Sequence, residues 1–488
     1  DIAGVPSTGN YHLLTDILRG EWGFKGLVVS DYTSEAEMIN HGFAKDGRDA
    51  TKKSIMAGCD MSMQSGLYWD HLPDLVAKGE VPMRVVDEAL RRVLGVKKAL
   101  GLFENPYRSM SVEREVQDMR KPENIALARE AARKSVVLIK NEGEILPLKK
   151  SGQKIALIGP LADDKTQTLG CWAIFPDFEK AVTLAQGLGS QIVDRANLKV
   201  VKGCEVNAAI EGGIASAVAA AQAADVVILA VGETQDMSGE AQSRVEITIP
   251  KAQQDLADAI AATGKPIVVV LTHGRALELQ GAIKNAQAIM AAWFLGSESG
   301  NGLADLIFGD FSPSARLPVS FPLRSGQQPL YYNHRRTGRP QTTTNGTEYR
   351  TRYREAAFEA LYSFGHGLTY SKIEYGPTQI SGPQMSMNGQ IAVTATIKNS
   401  GIRQAREVVQ FYVHDKVASI TQPVRLLKDF KLVDLAAGET KIVEFILTKQ
   451  DLAFVRANLR HEAEAGEFDV WIAPSSVGGV AAKVVLTA

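Results

Sequence analysis

The sequence has few cysteines, no long apolar run and almost no net charge, and each absence narrows the possible functions. Its three cysteines, Cys59, Cys171 and Cys204, lie far apart without a CxxC motif or a Cys/His pairing, which argues against a zinc site or a disulfide framework. Buried free thiols are favoured over a Cys171–Cys204 disulfide. No apolar run approaches the roughly 20 residues that span a bilayer, so no membrane partner is expected. The 54 basic and 55 acidic residues nearly cancel, which argues against nucleic acid as a partner and favours an uncharged ligand.

The 488 residues are enough for about three domains, and the hydrophobic pattern changes along the chain accordingly. Residues 1–107 alternate helix and strand signals, which indicates βα units of a partial (β/α)₈ barrel, because complete barrels have about 250 residues. Residues 108–325 predict an α/β sandwich with a mostly parallel, doubly wound sheet. Residues 326–372 resemble a linker that wraps its neighbours, and residues 373–488 predict an antiparallel β-sandwich.

Apolar runs and helical spacing predict most elements of the two larger domains. Continuous apolar runs suit strands that are buried on both faces. In the α/β sandwich they are Lys154–Ile158, Asp225–Val231, Pro266–Leu271 and Ala288–Trp293, with helices at Ala208–Ala224 and Gln253–Thr263 and a helix start at Ser297–Asn301. In the β-sandwich the alternating strands are Gln390–Ile397, Glu407–His414, Lys441–Leu447 and Phe468–Ile472.

Asp31 directly follows the apolar strand Gly26–Ser30 and precedes a helix that starts near Thr33. The carboxyl ends of barrel strands carry catalytic groups, which favours a catalytic role. An alternative is that Asp31 caps the helix, since aspartate is a preferred N-cap residue. Asp60 follows a second presumed strand, and a structural or orienting role is favoured for it.

Glu233 and Glu240 lie in a polar loop after the predicted strand Asp225–Val231. Open α/β sheets bind ligands beyond the carboxyl ends of their strands. The loop is longer than the about 4 to 6 residues typical of connections, which favours function over a solvated surface loop. One carboxylate from each of two domains suits glycoside hydrolysis, and retention of configuration needs the two about 5 to 5.5 Å apart.

Other candidates have competing interpretations. Trp172 could stack on a sugar ring or belong to a core. Arg244 could hold Glu240 in position or form an ordinary surface ion pair. The eight histidines show no metal-ligand spacing, so no metal site is predicted. The glycine-rich Gly296–Gly300 lacks the lysine of a phosphate-binding loop.

Several segments resemble glycoside hydrolase family 3, and they occur along most of the chain. They are Trp22–Asp31 (WGFKGLVVSD), Ala57–Met61 (AGCDM), Ala131–Asn141 (AARKSVVLIKN), Leu146–Leu148 (LPL), Ile158–Pro160 (IGP), Ser238–Arg244 (SGEAQSR), Leu317–Phe321 (LPVSF) and Tyr362–Tyr370 (YSFGHGLTY). The loop Met237–Pro250 is most similar to that of the bacterial periplasmic β-glucosidases. The resemblance implies a fibronectin-III-like C-terminal domain and a periplasmic or secreted location.

The resemblance also implies roles for individual residues. Asp31 matches the family's nucleophile and Glu240 its acid/base, with Glu233 as a competing carboxylate. Trp172, Tyr32, Arg244 and Glu233 are the candidate substrate-binding residues. The implied function is a retaining β-glucosidase that removes terminal β-D-glucosyl residues from oligosaccharides, without a cofactor or a catalytic metal.

Alternatives to the β-glucosidase are a β-xylosidase or broad β-glycosidase and, in another class, a non-catalytic carbohydrate-binding module. A phosphorolytic transferase has no support in the sequence. The family's sugar-holding residues come from earlier barrel strands that this sequence lacks, so the chain alone is expected to be inactive. The expected partners are therefore a small oligosaccharide or β-glucoside, the missing barrel segment and, as a possibility, a second copy in a homodimer.

Overall fold

A computed structural model describes residues 1–340 and 349–488. The predicted linker 326–372 includes residues 341–348, which lie outside the described residues. The chain forms two compact units, Asp1–Arg120 and Lys121–Ala488, and the finer boundaries at 107, 325 and 372 stay predictions. Within the described ranges, no helix has the length and apolar character that a membrane span requires.

The first unit contains a short parallel pair of strands flanked by helices. It begins with a 3₁₀ turn, Ser7–Gly9, and a π-type helix, His12–Glu21. The other elements are β1 (Val29–Tyr32), α1 (Ser34–Asn40), α2 (Gly47–Ala57), β2 (Met61–Met63), α3 (Leu67–Ala77), α4 (Met83–Ala99) and α5 (Val112–Asp118). β1 and β2 pair in parallel, with Val29 opposite Met61. This pairing agrees with the βα pattern predicted from the sequence.

Both predicted strands of the first unit begin later than expected. β1 includes Asp31 instead of ending before it, and Asp60 precedes β2 instead of following a strand. The cause lies at Val28, whose N–H donates to the Asp60 carboxylate and whose carbonyl accepts from the Asp60 and Met61 amides. The Asp60 side chain thus takes the Val28 N–H that a longer strand ladder would need, and the regular strand begins at Val29.

The second unit begins with a six-stranded sheet, in the order β3-β8-β7-β6-β4-β5. All neighbours are parallel except β3 and β8. The strands are β3 (Val137–Asn141), β4 (Ile155–Ile158), β5 (Leu198–Val201), β6 (Val226–Gly232), β7 (Ile267–Thr272) and β8 (Ala288–Ala291). The four predicted strands are present, and the two edge strands β3 and β5 were missed.

Helices cover the faces of this sheet, as expected for a doubly wound fold. They are α6 (Pro122–Ser135), α7 (Leu184–Gln191), α8 (Gly213–Ala223), α9 (Lys251–Ala261), α10 (Gly281–Asn285) and α11 (Ser299–Ile307). Two apolar clusters pack on the sheet, one containing Val227 and Leu229 and the other Ile228 and Ala230. Every residue of β6 is buried, which explains its continuous apolar run.

The described part of the connecting segment, 326–340 and 349–372, contacts both neighbouring domains through isolated bridges. Tyr362 pairs with Phe321 and Leu368 pairs with Leu138 on the α/β side, while Arg335 pairs with Pro423 on the other. The segment therefore follows the surfaces of both domains.

A two-sheet β-sandwich completes the second unit. One sheet has the order β11-β19-β18-β13-β14, and the other contains β10, β12 and β15 with β9 beside β12. The elements are β9 (Ile373–Tyr375), β10 (Gln379–Ile380), β11 (Gln384–Ser386), β12 (Gln390–Asn399), β13 (Ala405–Asp415), β14 (Leu426–Leu435), β15 (Thr440–Thr448), α12 (Lys449–Leu452), β16 (Phe454–Val455), β17 (His461–Glu462), β18 (Gly466–Ala473) and β19 (Ala482–Thr487). Phe411, Phe445 and Phe468 lie in the core between the sheets. The predicted sandwich is confirmed, and its strand pairs are antiparallel except β11 with β19, which are parallel.

Candidate active site

Asp31 is exposed near the carboxyl end of β1. Its Oδ1 accepts a hydrogen bond from the Tyr32 N–H at 2.7 Å. Helix α1 begins at Ser34, its N-cap is Thr33, and no side chain caps it. The alternative that Asp31 is a helix cap is therefore wrong, and its carboxylate faces solvent within this unit.

A buried carboxylate holds the strand that carries Asp31. Glu35 is fully buried and accepts hydrogen bonds from Ser62 at 2.9 Å, Ser65 at 3.2 Å and Ser30 at 3.3 Å. The Ser30 hydroxyl also accepts from the Met63 N–H at 2.8 Å. These bonds tie β1 to β2 and fix the backbone on either side of Asp31.

Asp60 is a structural ion-pair centre. Its side chain is almost completely buried and accepts from Arg19 and Arg92, each at 2.7 Å, and from the Val28 N–H at 2.9 Å. A buried carboxylate with two guanidinium partners has little capacity left for substrate. The structural or orienting role favoured by the sequence agrees with these contacts.

The switch point of the six-stranded sheet lies between β4 and β6. β5 lies on one side of β4, and β6, β7 and β8 follow in order on the other. Ligands of open α/β sheets bind outside the carboxyl ends of the strands at such a point. The loop after β4 carries Trp172 and the loop after β6 carries Glu240, so the fold brings these two candidates into neighbouring loops.

The two loops contact each other directly. The Gln235 N–H donates to Gln167 Oε1 at 2.7 Å. Gly239 has φ +115°, and a Cβ there would lie 2.9 Å from Cys171 Sγ. The glycine therefore permits both the turn and the close approach of the loops. Trp172 is 68% exposed beside this contact, so it is not a core residue.

Glu240 itself is exposed, between Gly239 and Ala241, and Ala241 has φ +59°. Gly239 has φ +115°, so the residues on both sides of Glu240 have positive φ and the backbone turns sharply at this position. Because Glu240 is exposed in this turn, its carboxyl is accessible to a ligand.

Glu233, by contrast, is fully buried at the start of the same loop. Its Oε1 accepts from Arg244 Nη1 at 2.6 Å and lies 3.3 Å from Arg275 Nε. Its Oε2 accepts from the Gly274 N–H at 3.4 Å. Arg244 therefore pairs with Glu233 and connects the two ends of the loop, while its Nη2 donates to the Thr248 carbonyl at 3.0 Å.

Arg275 fixes the middle of the loop and is not among the residues predicted from the sequence. Its Nη2 donates to the Met237 carbonyl and, at 2.8 Å, to the Gln242 carbonyl, so it grips the backbone on both sides of Glu240. Glu233, Arg244 and Arg275 together are called the loop clamp below. Arg275 could have been found from its position in the sequence. Gly232 and Thr272 pair at the ends of β6 and β7, and Glu233 and Arg275 follow these strand ends.

A neutral histidine lies beneath the clamp. His273 Nδ1 is 2.7 Å from the Arg275 carbonyl, and the ring packs on Trp293 with centroids 4.3 Å apart. Burial lowers the pKa of His273 to about 4. The ring is therefore uncharged at neutral pH and adds no repulsion next to the clamp arginines.

The structure contains no disulfide among its three cysteines. Cys59, Cys171 and Cys204 are free, so the Cys171–Cys204 disulfide is wrong. Among the residues that the structure describes, no three histidine, cysteine or acidic side chains form a metal-binding group.

Trp172, Glu233, Glu240 and Arg244 lie together in the second unit. Asp31 and the 59% exposed Tyr32 lie together in the first.

Comparison with known proteins places this architecture in one family. Residues 136–370 match the glycosyl hydrolase family 3 C-terminal domain, residues 1–96 match the family's N-terminal domain, and residues 407–476 match a fibronectin type III-like domain. The matched segments include both loops of the second unit and the strand that carries Asp31.

Individual relatives agree. The chain is 40% identical to a periplasmic beta-glucosidase of Salmonella typhimurium over 97% of this chain and 65% of the relative. It is 32% identical to a beta-xylosidase of Formosa agariphila over 100% of this chain and 68% of the relative. A crystal structure of a beta-glucosidase from Listeria innocua with glucose has a TM-score of 0.93 and 37% identity over 99% of this chain and 66% of that one. The chain spans about two thirds of the length of these relatives. It belongs to glycosyl hydrolase family 3.

Proposed function

We propose that this chain is part of a retaining β-glucosidase that hydrolyses terminal β-D-glucosyl residues of short oligosaccharides, with Asp31 as the nucleophile and Glu240 as the acid/base. The observation that carries the proposal is the exposed Asp31 on β1, in the family segment Trp22–Asp31. The names of the Salmonella and Listeria relatives support glucose as the sugar.

The first step forms a covalent glycosyl-enzyme. An Asp31 carboxylate oxygen attacks the anomeric carbon while the bond to the leaving oxygen breaks, and the Glu240 carboxyl gives its proton to that oxygen. The hydrogen bond from the Tyr32 N–H to Asp31 Oδ1 holds the carboxylate in place for this attack.

The second step releases the sugar. The Glu240 carboxylate takes a proton from water as the water oxygen attacks the anomeric carbon, and the bond to Asp31 breaks to restore its carboxylate. Each step inverts the anomeric carbon, so the product has the β configuration of the substrate.

The configuration of the first-formed glucose tests the function. The native full-length gene product is mixed with p-nitrophenyl β-D-glucoside, and proton NMR follows the anomeric signals before mutarotation. We expect β-glucose first. α-Glucose would rule out the covalent intermediate, and the absence of turnover would favour a non-catalytic carbohydrate-binding module.

A β-xylosidase is the second candidate, because one relative at 32% identity and another at 35% carry that name. The two sugars differ at C5, where glucose has a hydroxymethyl group. Comparing kcat/KM for p-nitrophenyl β-glucoside and β-xyloside discriminates them, and a higher value for the xyloside would replace the glucosidase assignment.

Trp172 and Tyr32 are proposed substrate contacts. Both rings are largely exposed, and Trp172 lies in the loop that packs against the Glu240 loop. An aromatic face suits the C–H face of a sugar.

We also propose a periplasmic or secreted location, supported by the name of the Salmonella relative. Assay of the periplasmic and cytoplasmic fractions of the producing cells would test the location.

Glu233 and Arg244 are proposed to position Glu240 instead of touching substrate. Glu233 is buried and held by two arginines. Arg275 binds the backbone carbonyls on both sides of Glu240, and Arg244 binds the Thr248 carbonyl beyond the end of the loop. Both carboxylate oxygens of Glu233 are already in contact with loop groups, so neither is free to reach a leaving oxygen. These contacts support Glu240 over Glu233 as the acid/base.

Glu233→Gln should lower turnover mainly for substrates whose leaving group needs a proton. The amide keeps the side-chain volume but loses the charge that holds Arg244 and Arg275, so Glu240 shifts. A displacement of about 1 Å can cost roughly 100-fold in kcat. We expect a loss of that size for cellobiose and a much smaller one for 2,4-dinitrophenyl β-glucoside, measured as kcat for each.

The matched control is Glu246→Gln, which changes an exposed carboxylate in the same loop region. It should leave both rates unchanged. Equal losses on the two substrates in Glu233→Gln would show general misfolding of the loop and would refute specific positioning of the acid/base.

A further inference from the structure

A cavity of about 580 Å³ lies between the connecting segment and the β-sandwich, all within the second unit. Its floor is the outer face of the sheet that contains β13 and β18. Phe468, Val470 and Ile472 point into the sandwich core, so Asp469 and Trp471 lie on the opposite, outer face. This cavity, called the sandwich cavity below, contains none of the residues proposed for catalysis.

The walls offer aromatic surfaces. Tyr331 is 64% exposed and Tyr353 37% exposed, and the Tyr353 ring lies nearly parallel to that of Phe358, with centroids 6.2 Å apart. Trp471 adds an indole on the floor. The ring faces carry partial negative charge, which attracts the weakly positive C–H hydrogens on the face of a pyranose.

The floor also offers unused hydrogen-bonding groups. The Asp469 side chain accepts no hydrogen bond from the residues that the structure describes, although it lines the cavity and is only partly exposed. The indole N–H of Trp471 likewise has no acceptor in the described ranges. An acceptor and a donor two residues apart on one strand face suit adjacent hydroxyls of one ligand.

The charges that line the cavity balance. Asp469 and Glu359 are opposed by Arg336 and Arg425. The Arg425 guanidinium is already engaged, 4.2 Å from the centroid of the Trp471 ring and donating to the Gly478 carbonyl at 2.9 Å. A charged ligand would therefore gain little electrostatic attraction. An uncharged polyol can contact the rings and form hydrogen bonds with the polar groups.

We propose that the sandwich cavity is a second, non-catalytic binding site for a neutral gluco-oligosaccharide. The wall tyrosines stack on the sugar, the Trp471 indole N–H donates to a hydroxyl, and Asp469 accepts from the neighbouring hydroxyl. The site goes beyond the proposed hydrolysis, because it binds sugar through the β-sandwich and does not require Asp31 or Glu240.

Binding stoichiometry tests the proposal. Cellotetraose is titrated calorimetrically into the full-length gene product carrying Asp31→Ala, which should bind sugar without turning it over. The same titration is made after adding Trp471→Ala. We expect the second variant to bind one cellotetraose fewer per chain, and Asp469→Asn to weaken binding at that site about tenfold.

Controls separate this site from the active site. Phe430→Ala removes an exposed ring from β14 outside the cavity and should leave the stoichiometry unchanged. Trp471→Ala in the otherwise unchanged protein should hydrolyse p-nitrophenyl β-glucoside at the original rate. If the proposed hydrolysis failed, the loss of one cellotetraose would still be measurable.

Two results would overturn the proposal. One is an unchanged stoichiometry in Trp471→Ala. The other is loss of aryl-glucoside hydrolysis together with the binding, with the melting temperature intact, because the cavity would then belong to the active site.

Discussion

Asp31→Ala is expected to lower kcat for p-nitrophenyl β-glucoside by about five orders of magnitude, as removal of an essential nucleophile does in other enzymes. Without the carboxylate no glycosyl-enzyme can form. The rate is measured with the full-length gene product, and Asp70→Ala is the matched control. Asp70 is an exposed carboxylate on α3, without a side-chain partner among the described residues, and its replacement should leave kcat unchanged.

Azide makes this test specific for the role of Asp31. In Asp31→Ala, azide can enter the space of the missing carboxylate and attack the anomeric carbon of 2,4-dinitrophenyl β-glucoside as dinitrophenolate leaves. One inversion gives α-glucosyl azide. Retained turnover without azide, or a β-azide product, would contradict the assignment of Asp31 as the nucleophile.

Glu240→Ala is expected to lower kcat for cellobiose by about 10²- to 10⁴-fold, the range for a lost general acid. Dinitrophenolate needs no proton to leave, so the glycosyl-enzyme should still form from 2,4-dinitrophenyl β-glucoside. Azide should then attack that intermediate, release the Asp31 carboxylate and give β-glucosyl azide after two inversions. The rate on each substrate and the anomer of the azide product are measured.

The anomer of the azide product thus distinguishes the two carboxylates. Glu246→Ala, in the same loop region, serves as the control and should show neither the rate loss nor the azide product. An unchanged cellobiose rate in Glu240→Ala would transfer the acid/base role to another carboxylate. Glu233 would then have to be tested first, despite its buried ion pairs.

The sequence was sufficient to predict elements whose burial is nearly complete. β4, β6, β7 and β8 are buried along their whole length or nearly so, and their apolar runs identified them. The missed β5 is a four-residue edge strand whose side chains are partly or fully exposed, so it carries no apolar run. Its strand conformation depends on pairing with β4, which a local pattern does not contain.

The start of β1 shows a similar limit. Gly26–Val28 is as apolar as a strand, yet the Asp60 side chain and backbone occupy the hydrogen-bonding groups of Val28. That competition is set by a residue distant in the sequence and by the arginines that hold it. Hydrophobicity alone could not predict it.

The residues of the candidate site could be predicted from the sequence, but the contacts that hold them in place could not. Asp31, Glu240 and Trp172 stand out because they follow apolar runs in a recognisable family pattern. Arg275 does not, since its partners are carbonyls of a loop reached only through the pairing of β6 with β7. The exposure of Trp172 was equally undetermined, because a loop tryptophan can face either the core or the solvent.

The loop clamp has a consequence for how this enzyme could diversify. Glu233 and Arg244 bind each other at the two ends of the loop. The ends of residues 234–243 therefore stay together whatever the length of the loop. Doubling the length of a flexible loop raises the entropic cost of closing it by only about 0.6 kcal/mol. Insertions or deletions there could change the shape of the loop that carries Glu240 while the sheet beneath stays unchanged.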